Sequence, residues 1–131
     1  MNTDLKHGKI TDQIIRVFYE VYNELGDGFL ESVYQKSLVI ALSSTGLDVC
    51  SPIEIPVWFR GIRVGSFEAD VLVEKSVLLE LKAARCLNAR HRAQLLNYLR
   101  ATEIEVGLLL NFGLKPEFKR LVFDNSRKAS R

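Results

Sequence analysis

Residues 69–82 have the sequence ADVLVEKSVLLELK, in which two apolar segments flank a short polar turn. Apolar runs of this length, rich in valine and leucine, predict strands that are buried in a sheet. Three charged residues interrupt the pattern: Asp70 in the first segment, and Glu80 and Lys82 in the second. Burying a charge without a partner is costly, so these three side chains are the first candidates for a functional site.

The register of this hairpin decides whether the two acids meet. Because side chains alternate along a strand, Glu80 and Lys82 point to the same face. A two-residue loop pairs Val71 with Glu80 and turns Asp70 away, whereas a three-residue loop or a one-residue bulge places Asp70 opposite Glu80. We predict the second arrangement, in which the two Cβ atoms lie about 5 Å apart, near enough to share a divalent cation.

The hydrophobic pattern on either side of the hairpin predicts an α/β domain. Helical spacing indicates three helices, which are Ile10–Leu25, about Leu30–Ser44 and Arg90–Ala101. Strand patterns occur at Leu47–Cys50, Ile53–Phe59, Arg63–Glu74, Val77–Leu81, Val106–Asn111 and Phe118–Phe123. Pro52 and Pro56 indicate that the second of these is an edge strand or carries a bulge. This order predicts a mixed sheet with helices on its faces.

Length and composition favour one small domain. The chain has 131 residues, and we expect residues 1–124 to form a single domain and the basic residues 125–131 to be a disordered tail. The net charge is only +2, so composition does not by itself identify a nucleic-acid binder.

The cysteines and the apolar runs exclude other classes. Cys50 and Cys86 are far apart and lack a CxxC partner, which excludes a disulfide-rich or zinc-ribbon scaffold. No apolar stretch resembles a signal peptide or approaches the roughly 20 residues that cross a bilayer. We therefore expect a cytoplasmic protein with no membrane partner.

Two carboxylates beside a lysine suit metal-assisted chemistry. Magnesium takes oxygen ligands and usually keeps several waters. Such an ion polarises a phosphoryl oxygen and lowers the pKa of bound water. Lys82 would orient the attacking water or stabilise charge on the phosphate in the transition state. The structural alternative is that Asp70, Glu80 and Lys82 form an ordinary salt bridge at the rim of the sheet.

At these residues a family resemblance appears. An Asp in one strand followed by Glu-x-Lys in the next resembles the PD-(D/E)XK signature of restriction-endonuclease-like nucleases, although Ala69 replaces the proline. Residues 28–34, GFLESVY, resemble the motif that names the GxxExxY family within that superfamily. Residues 94–98, QLLNY, are similar to the QxxxY motif of RecB-like nucleases. The motifs follow the expected order over about residues 26–123.

The resemblance implies a fold and a metal site. The implied fold is a restriction-endonuclease-like mixed sheet flanked by helices, with core order α-β-β-β-α-β. The implied metal ligands are Asp70, Glu80 and the backbone carbonyl of Leu81, with Glu31 approaching from the N-terminal helices. For Glu31 the alternative is an acid in the first turn of a helix, where it favours the helix dipole.

The resemblance also assigns catalytic side chains. Lys82 matches the catalytic lysine, beside Asp70 and Glu80. Gln94 and Tyr98 match residues that line the active-site cleft and contact substrate or metal-bound water, and their spacing puts them on one helix face. A core position is the alternative for Tyr98. His91 is more readily explained as a hydrogen-bonded or exposed histidine than as a metal ligand.

Positive charge is concentrated next to these motifs. Between residues 82 and 100 there is no acid after Lys82, and the candidate nucleic-acid-binding residues are Arg85, Arg90, Arg92 and Arg100. A basic rim beside a carboxylate centre suits a polyphosphate backbone. The alternative is a solvated helix face.

The sequence therefore predicts a nuclease that hydrolyses phosphodiester bonds of DNA with Mg²⁺, with Mn²⁺ as a substitute. The alternative is a non-catalytic module that keeps the fold and binds nucleic acid or protein. A homodimer is a further hypothesis, since one small domain that cuts both strands would need to pair. No glycine-rich phosphate loop follows a strand, and neither the cysteines nor Ser32 has the setting of a catalytic nucleophile.

Overall fold

The structure, a computed structural model, describes residues 5–129 and shows three α-helices and seven strands in that range. The elements are α1 Gly8–Leu25, α2 Glu31–Ser44, β1 Val49–Cys50, β2 Ile53–Phe59, β3 Ile62–Ala69, β4 Val71–Val73, β5 Val77–Lys82, α3 Ala89–Arg100, β6 Val106–Phe112 and β7 Pro116–Val122, followed by a 3₁₀ turn at Asn125–Arg127. The predicted α/β fold, a mixed sheet flanked by helices, is confirmed.

Five strands form the main sheet in the order β1-β4-β5-β6-β7. Only β5 and β6 run parallel, and α3 provides the crossover between them. Both strands lie in the middle of the sheet, and every residue of β6 is buried. Their position explains why the sequence shows continuous apolar runs there rather than alternation.

Helices cover both faces of the sheet. The larger core joins α1 and α2 to one face and includes Phe18, Leu79 and Leu81. The smaller core joins α3 to the other face and includes Leu78 and Leu95. Burying one such leucine stabilises the fold by about 1.5–3 kcal/mol. The buried apolar residues of β5 together therefore outweigh the free-energy cost of burying Glu80 in the same strand. Alternation along β5 then puts Glu80 on the α3 face, with Leu78.

The predicted continuous strand from Arg63 to Glu74 is wrong, because the chain bends at Asp70. Before the bend, β3 pairs with β2 in a separate two-stranded hairpin; after it, β4 joins the main sheet. At the bend, the N–H of Asp70 bonds to a side chain of β5 instead of to a backbone carbonyl. Both strands of this hairpin are edge strands, and its register shifts between Val57 and Trp58. Proline is tolerated in edge strands and at bulges, so the position of Pro56 agrees with the prediction.

Tyr34 fixes the loop between α1 and α2. Its hydroxyl donates to the carbonyl of Gly26 at 2.6 Å and accepts from the N–H of Phe29 at 3.2 Å. Its ring stacks on Phe112, with the centroids 4.2 Å apart. The tyrosine that ends the GFLESVY segment therefore has a structural role, and Glu31 of the same segment is the first residue of α2.

Two residues of the segment that the sequence predicts to be a disordered tail, residues 125–131, form hydrogen bonds with the rest of the domain. The N–H of Asn125 donates to Glu105 Oε2 at 2.7 Å, and Lys128 Nζ donates to the carbonyls of Thr102 and Ile104 at 2.9 and 2.8 Å. Ser130 and the tail residue Arg131 lie outside the described residues, as do residues 1–4. None of the helices within residues 5–129 has the length and apolar character needed to cross a membrane.

Candidate metal centre

Asp70 and Glu80 meet at the bend, in the predicted register. Val73 pairs with Val77, so residues 74–76 form a three-residue loop, and the pairing of Val71 with Leu79 puts Asp70 opposite Glu80 one step further on. The N–H of Asp70 donates to Glu80 Oε1 at 3.1 Å, and the N–H of Leu81 donates to Asp70 Oδ2 at 2.7 Å. Each carboxylate thus accepts a backbone N–H from the neighbouring segment with one oxygen. Its second oxygen is left for a ligand.

The surroundings of the two acids favour the protonated form of Glu80 when no cation is bound. Burial, together with the charge of Asp70, raises the pKa of Glu80 to about 8. Burial also raises the pKa of Asp70, and the hydrogen bond from Leu81 offsets part of that effect. Lys82 Nζ stands 4.0 Å from Glu80 Oε2, at the outer limit of an ion pair. The charge of Lys82 lowers the pKa of Glu80 by less than burial and Asp70 raise it, so Lys82 does not neutralise the two acids as an ordinary salt bridge would.

Lys82 is held by α3 instead. Lys82 Nζ donates to Gln94 Oε1 at 2.8 Å, and Gln94 Nε2 donates to the hydroxyl of Tyr98 at 3.0 Å. Tyr98 is only 4% exposed, so it is a core residue as well as a member of this chain of hydrogen bonds. Burial raises its pKa, and the charge of Glu80 adds to that effect. The structure therefore brings five predicted residues together: Asp70, Glu80, Lys82, Gln94 and Tyr98.

Glu31 is near this centre but does not join it. It is exposed at the start of α2, and its charge contributes to the raised pKa values of Asp70 and Glu80. Within residues 5–129 no three His, Cys, Asp or Glu side chains are grouped closely enough to hold a metal ion. The first-turn position agrees with the helix-dipole alternative.

Gln35 and Ser51, which the sequence did not single out, hold the bend at Asp70. Ser51 Oγ donates to the carbonyl of Asp70 at 2.6 Å, and Gln35 Nε2 donates to the same oxygen at 3.0 Å. A backbone carbonyl turned out of a strand ladder needs such donors. No local pattern marks either residue, because their partner lies 19 or more positions away.

Asn111 holds the segment that follows Lys82. Its side chain accepts from the N–H of Ala84 and donates to the carbonyl of Ala84, both at 2.9 Å. Asn111 is fully buried and pairs with Lys82 in the parallel register. A Cβ on the nearby Gly113 would lie 2.3 Å from the Ala84 carbonyl, so only glycine fits there. A buried amide in the otherwise apolar strand β6 is a sequence signal that would have identified Asn111.

His91 caps α3. Asn88 Oδ1 accepts from the N–H of His91 at 3.1 Å, and His91 Nδ1 accepts from the N–H of Asn88 at 3.3 Å. Burial lowers the pKa of His91, and the nearby charge of Lys82 adds to that effect. The prediction of a hydrogen-bonded histidine is confirmed.

The predicted basic residues are all exposed. Arg85 lies in the loop after β5, and Arg90, Arg92 and Arg100 lie on α3. Their side chains are therefore accessible to an anionic ligand.

The donor set fits a hard divalent cation. Asp70 and Glu80 present carboxylate oxygens side by side, and one or two carboxylates plus waters are what Mg²⁺ requires. The pKa of Glu80 is raised mainly by burial and secondly by the nearby charge of Asp70, and a cation between the two acids would offset both effects.

Comparisons with known proteins give a family for the sequence and a similar structure for the fold. A sequence model of the PD-(D/E)XK nuclease superfamily matches residues 8–121, which include the whole candidate centre. A solved structure, that of SSO0001, superposes with a TM-score of 0.56 at 19% identity and covers 71% of this chain, a likeness that concerns the fold alone. This chain spans 50% of the length of that protein. A search of curated proteins gave no match.

Proposed function

The chain belongs to the PD-(D/E)XK nuclease superfamily, and from this we propose that it is a metal-dependent nuclease that hydrolyses phosphodiester bonds of DNA. Nucleases of this superfamily generally use divalent metal ions. One observation carries the proposal. The carboxylates of Asp70 and Glu80 lie side by side, each accepting a backbone N–H from the other's segment, and the Lys82 ammonium lies 4.0 Å from Glu80 Oε2. Residues 28–34 further support membership of the GxxExxY group.

Asp70 and Glu80 would hold the cation, for which we propose Mg²⁺ with Mn²⁺ as a substitute. We also propose the carbonyl of Leu81 as a further ligand, with Glu31 contributing negative charge from the start of α2 without a direct bond to the ion. A bound ion of this kind polarises a phosphoryl oxygen and lowers the pKa of bound water. The protein supplies two fixed anionic oxygens and a partly buried setting that strengthens their attraction for a cation.

Lys82 would act on the reacting phosphate or on the attacking water. An ammonium has three N–H donors, and Gln94 Oε1 takes one of them. The remaining donors are free to orient a water or to stabilise negative charge that develops on the phosphate. Gln94 is a positioning residue in this scheme, and Tyr98 fixes Gln94 in turn.

The exposed arginines would bind the DNA backbone. Arg85, Arg90, Arg92 and Arg100 lie on the loop and helix that follow the catalytic strand β5. Contacts of this kind bind phosphates without reading sequence, and they weaken as salt concentration rises.

The proposal is tested by DNA cleavage in Mg²⁺ and in EDTA, using the wild type, Asp70→Ala, Lys82→Ala and the control Glu24→Ala on the exposed face of α1. We expect cleavage by the wild type and the control only, and none in EDTA. Equal cleavage by all four proteins would refute the proposal, because the activity would then come from elsewhere.

Calorimetric titration with Mg²⁺ separates the nuclease from a non-catalytic binding module. The nuclease binds the ion through Asp70 and Glu80, and the Asp70→Ala variant does not. Absence of binding by the wild type, even with DNA present, would favour the module.

We further propose a homodimer for cleavage of both strands of a duplex. The molecular mass in solution at working concentration tests this point, and a monomer that cuts both strands would contradict it.

A further inference from the structure

A groove of about 530 Å³ lies beside the candidate centre, between the β2–β3 hairpin and α3. Its walls include Trp58 and Phe67 of the hairpin, Arg100 of α3, and Phe123 and Arg127 of the C-terminal segment. The mechanism proposed above uses only Arg100 of these residues. We call this cavity the aromatic groove.

The aromatic groove presents ring faces to solvent. Trp58 is 43% exposed and Phe67 is 44% exposed, although both are large apolar side chains. Phe67 pairs with the buried Ile55 across the hairpin, so its ring lies at the edge of the smaller core and faces α3. Single exposed apolar residues are common, but two that line one cavity indicate a ligand surface.

The groove also carries positive charge. The guanidinium carbons of Arg100 and Arg127 lie 5.1 and 4.8 Å from the centroid of the Phe123 ring. Among residues 5–129 neither arginine forms an ion pair within 4.0 Å of a carboxylate oxygen. Asp124, the nearest acid in sequence to Phe123, contacts Lys6 at 2.9 Å instead. Two arginines that form no direct ion pair and lie beside exposed rings favour an anionic ligand with flat apolar parts.

Phe67 connects the groove to the candidate centre. Its ring packs on Tyr98, with the centroids 5.3 Å apart, while the Tyr98 hydroxyl accepts from Gln94, which holds Lys82. A ligand that occupies the groove would contact Phe67, which is connected to Lys82 through Tyr98 and Gln94.

From this juxtaposition we propose that the aromatic groove is a subsite for unpaired nucleotides: Trp58 and Phe67 stack on bases, and Arg100 and Arg127 contact the phosphates between them. The inference rests on the proposed function and narrows its substrate to DNA that is single-stranded next to the cleaved bond. Bases in a duplex already stack on each other, so only an unpaired base presents a free face to an aromatic side chain.

The chain has one tryptophan, so its fluorescence reports on the groove. We would titrate the wild-type protein in EDTA with an oligothymidylate of about ten nucleotides, and with an oligomer of the same backbone that lacks bases. The oligothymidylate should quench the emission of Trp58 and bind about five-fold to a hundred-fold more tightly than the base-free oligomer. A blunt duplex should cause little quenching.

Two variants localise the effect. Trp58→Leu should lose affinity for labelled oligothymidylate by a similar factor, measured by anisotropy. Phe59→Leu should bind like the wild type, because Phe59 is an exposed ring of the same hairpin that does not line the groove. The quenching experiment needs no variant, so the proposal stays testable if Trp58→Leu does not fold.

Equal binding of the two oligomers, or unchanged binding by Trp58→Leu, would overturn the subsite. A change in Trp58 emission with protein concentration alone would also overturn it, since a second copy of the chain would then cover the groove. Stacking that depends on Trp58 without any Mg²⁺-dependent cleavage would refute the nuclease and leave the subsite standing. Cleavage that is lost in Asp70→Ala but kept in Trp58→Leu would support the nuclease and refute the subsite.

Discussion

Glu80 Oε1 accepts a hydrogen bond from the backbone N–H of Asp70 at 3.1 Å, so the side chain of Glu80 in β5 fixes the backbone of Asp70 at the bend. The contact is reciprocated when Asp70 Oδ2 accepts from the N–H of Leu81. Because each carboxylate takes the place of a ladder hydrogen bond, the chain can bend at Asp70 without leaving its backbone unsatisfied. The bend and the candidate metal centre are therefore one feature.

We expect Glu80→Gln to keep the fold and to lose metal binding. The amide oxygen of glutamine can still accept from the N–H of Asp70, but the charge that attracts a cation is gone. Calorimetry should show Mg²⁺ affinity reduced at least about 100-fold, with a similar loss of cleavage rate. Glu24→Gln on α1 is the matched control and should bind as the wild type does. Unchanged affinity in Glu80→Gln would exclude Glu80 as a ligand.

Stability without metal should fall as pH rises from about 4.5 to about 8. The pKa of Glu80 is raised to about 8 in the folded protein, so across this window the folded state binds more protons than the unfolded state. The free energy of unfolding then decreases with pH, by about 1.4 kcal/mol for each unit between the two pKa values as an upper limit. Thermal melts in EDTA test this.

Two comparisons isolate Glu80 as the cause of that pH dependence. In Glu80→Gln the melting temperature should vary little with pH over the same window. In the wild type, Mg²⁺ should restore stability most strongly from about pH 8 upward, where most of the Glu80 carboxylate becomes ionised. If the melting temperature of Glu80→Gln still fell with pH over this window, a group other than Glu80 would be the cause.

Lys82 and Gln94 should act as one unit in cleavage. Lys82→Ala should lower the rate about 100-fold or more, and Gln94→Ala about 10–100-fold, because Gln94 acts by holding the ammonium. Adding Gln94→Ala to Lys82→Ala should then cost little more. Mg²⁺ affinity should stay near that of the wild type in both. Gln13→Ala on α1 is the control, and full additivity of the two losses would contradict the coupling.

Asn111→Ala should destabilise the protein by about 1–3 kcal/mol, because it leaves the partly buried N–H and carbonyl of Ala84 without the Asn111 side chain as their partner. Urea unfolding measures this. The exposed Asn23→Ala on α1 should change stability by less than about 0.5 kcal/mol. A loss in Asn111→Ala no larger than that of Asn23→Ala would show that the clamp contributes nothing.

Arg90→Gln should weaken DNA binding equally for unrelated sequences and reduce the slope of log affinity against log salt by about one. Arg16→Gln, which changes an exposed arginine on the opposite face of the sheet, should leave the slope unchanged. A sequence-dependent loss in Arg90→Gln would instead indicate contact with base edges.

Much of the candidate centre follows from short-range rules. Alternation along β5 is enough to place Glu80 and Lys82 on one face, and the spacing of Gln94 and Tyr98 places them on one helix face. The three-residue loop then aligns Asp70 with Glu80. These relations involve neighbours along a strand, a helix or a hairpin, where geometry depends on few residues.

Other features depend on residues distant in the chain. The split of the predicted long strand, the donors Gln35 and Ser51 on the carbonyl of Asp70, and the separation of Glu31 from the two acids all depend on how α2 and the hairpin lie against the sheet. No periodicity in the sequence encodes that packing.

The sequence by itself determined which polar residues share a face and what chemistry their side chains offer, because alternation and hydrogen-bonding capacity are local properties. Only the tertiary structure decided that Lys82 is held by α3 rather than by Glu80, and that Trp58 and Phe67 open a groove beside Tyr98 and Arg100. The reason is that these contacts join elements more than ten residues apart, whose approach is set by burial of the two cores and not by any one segment.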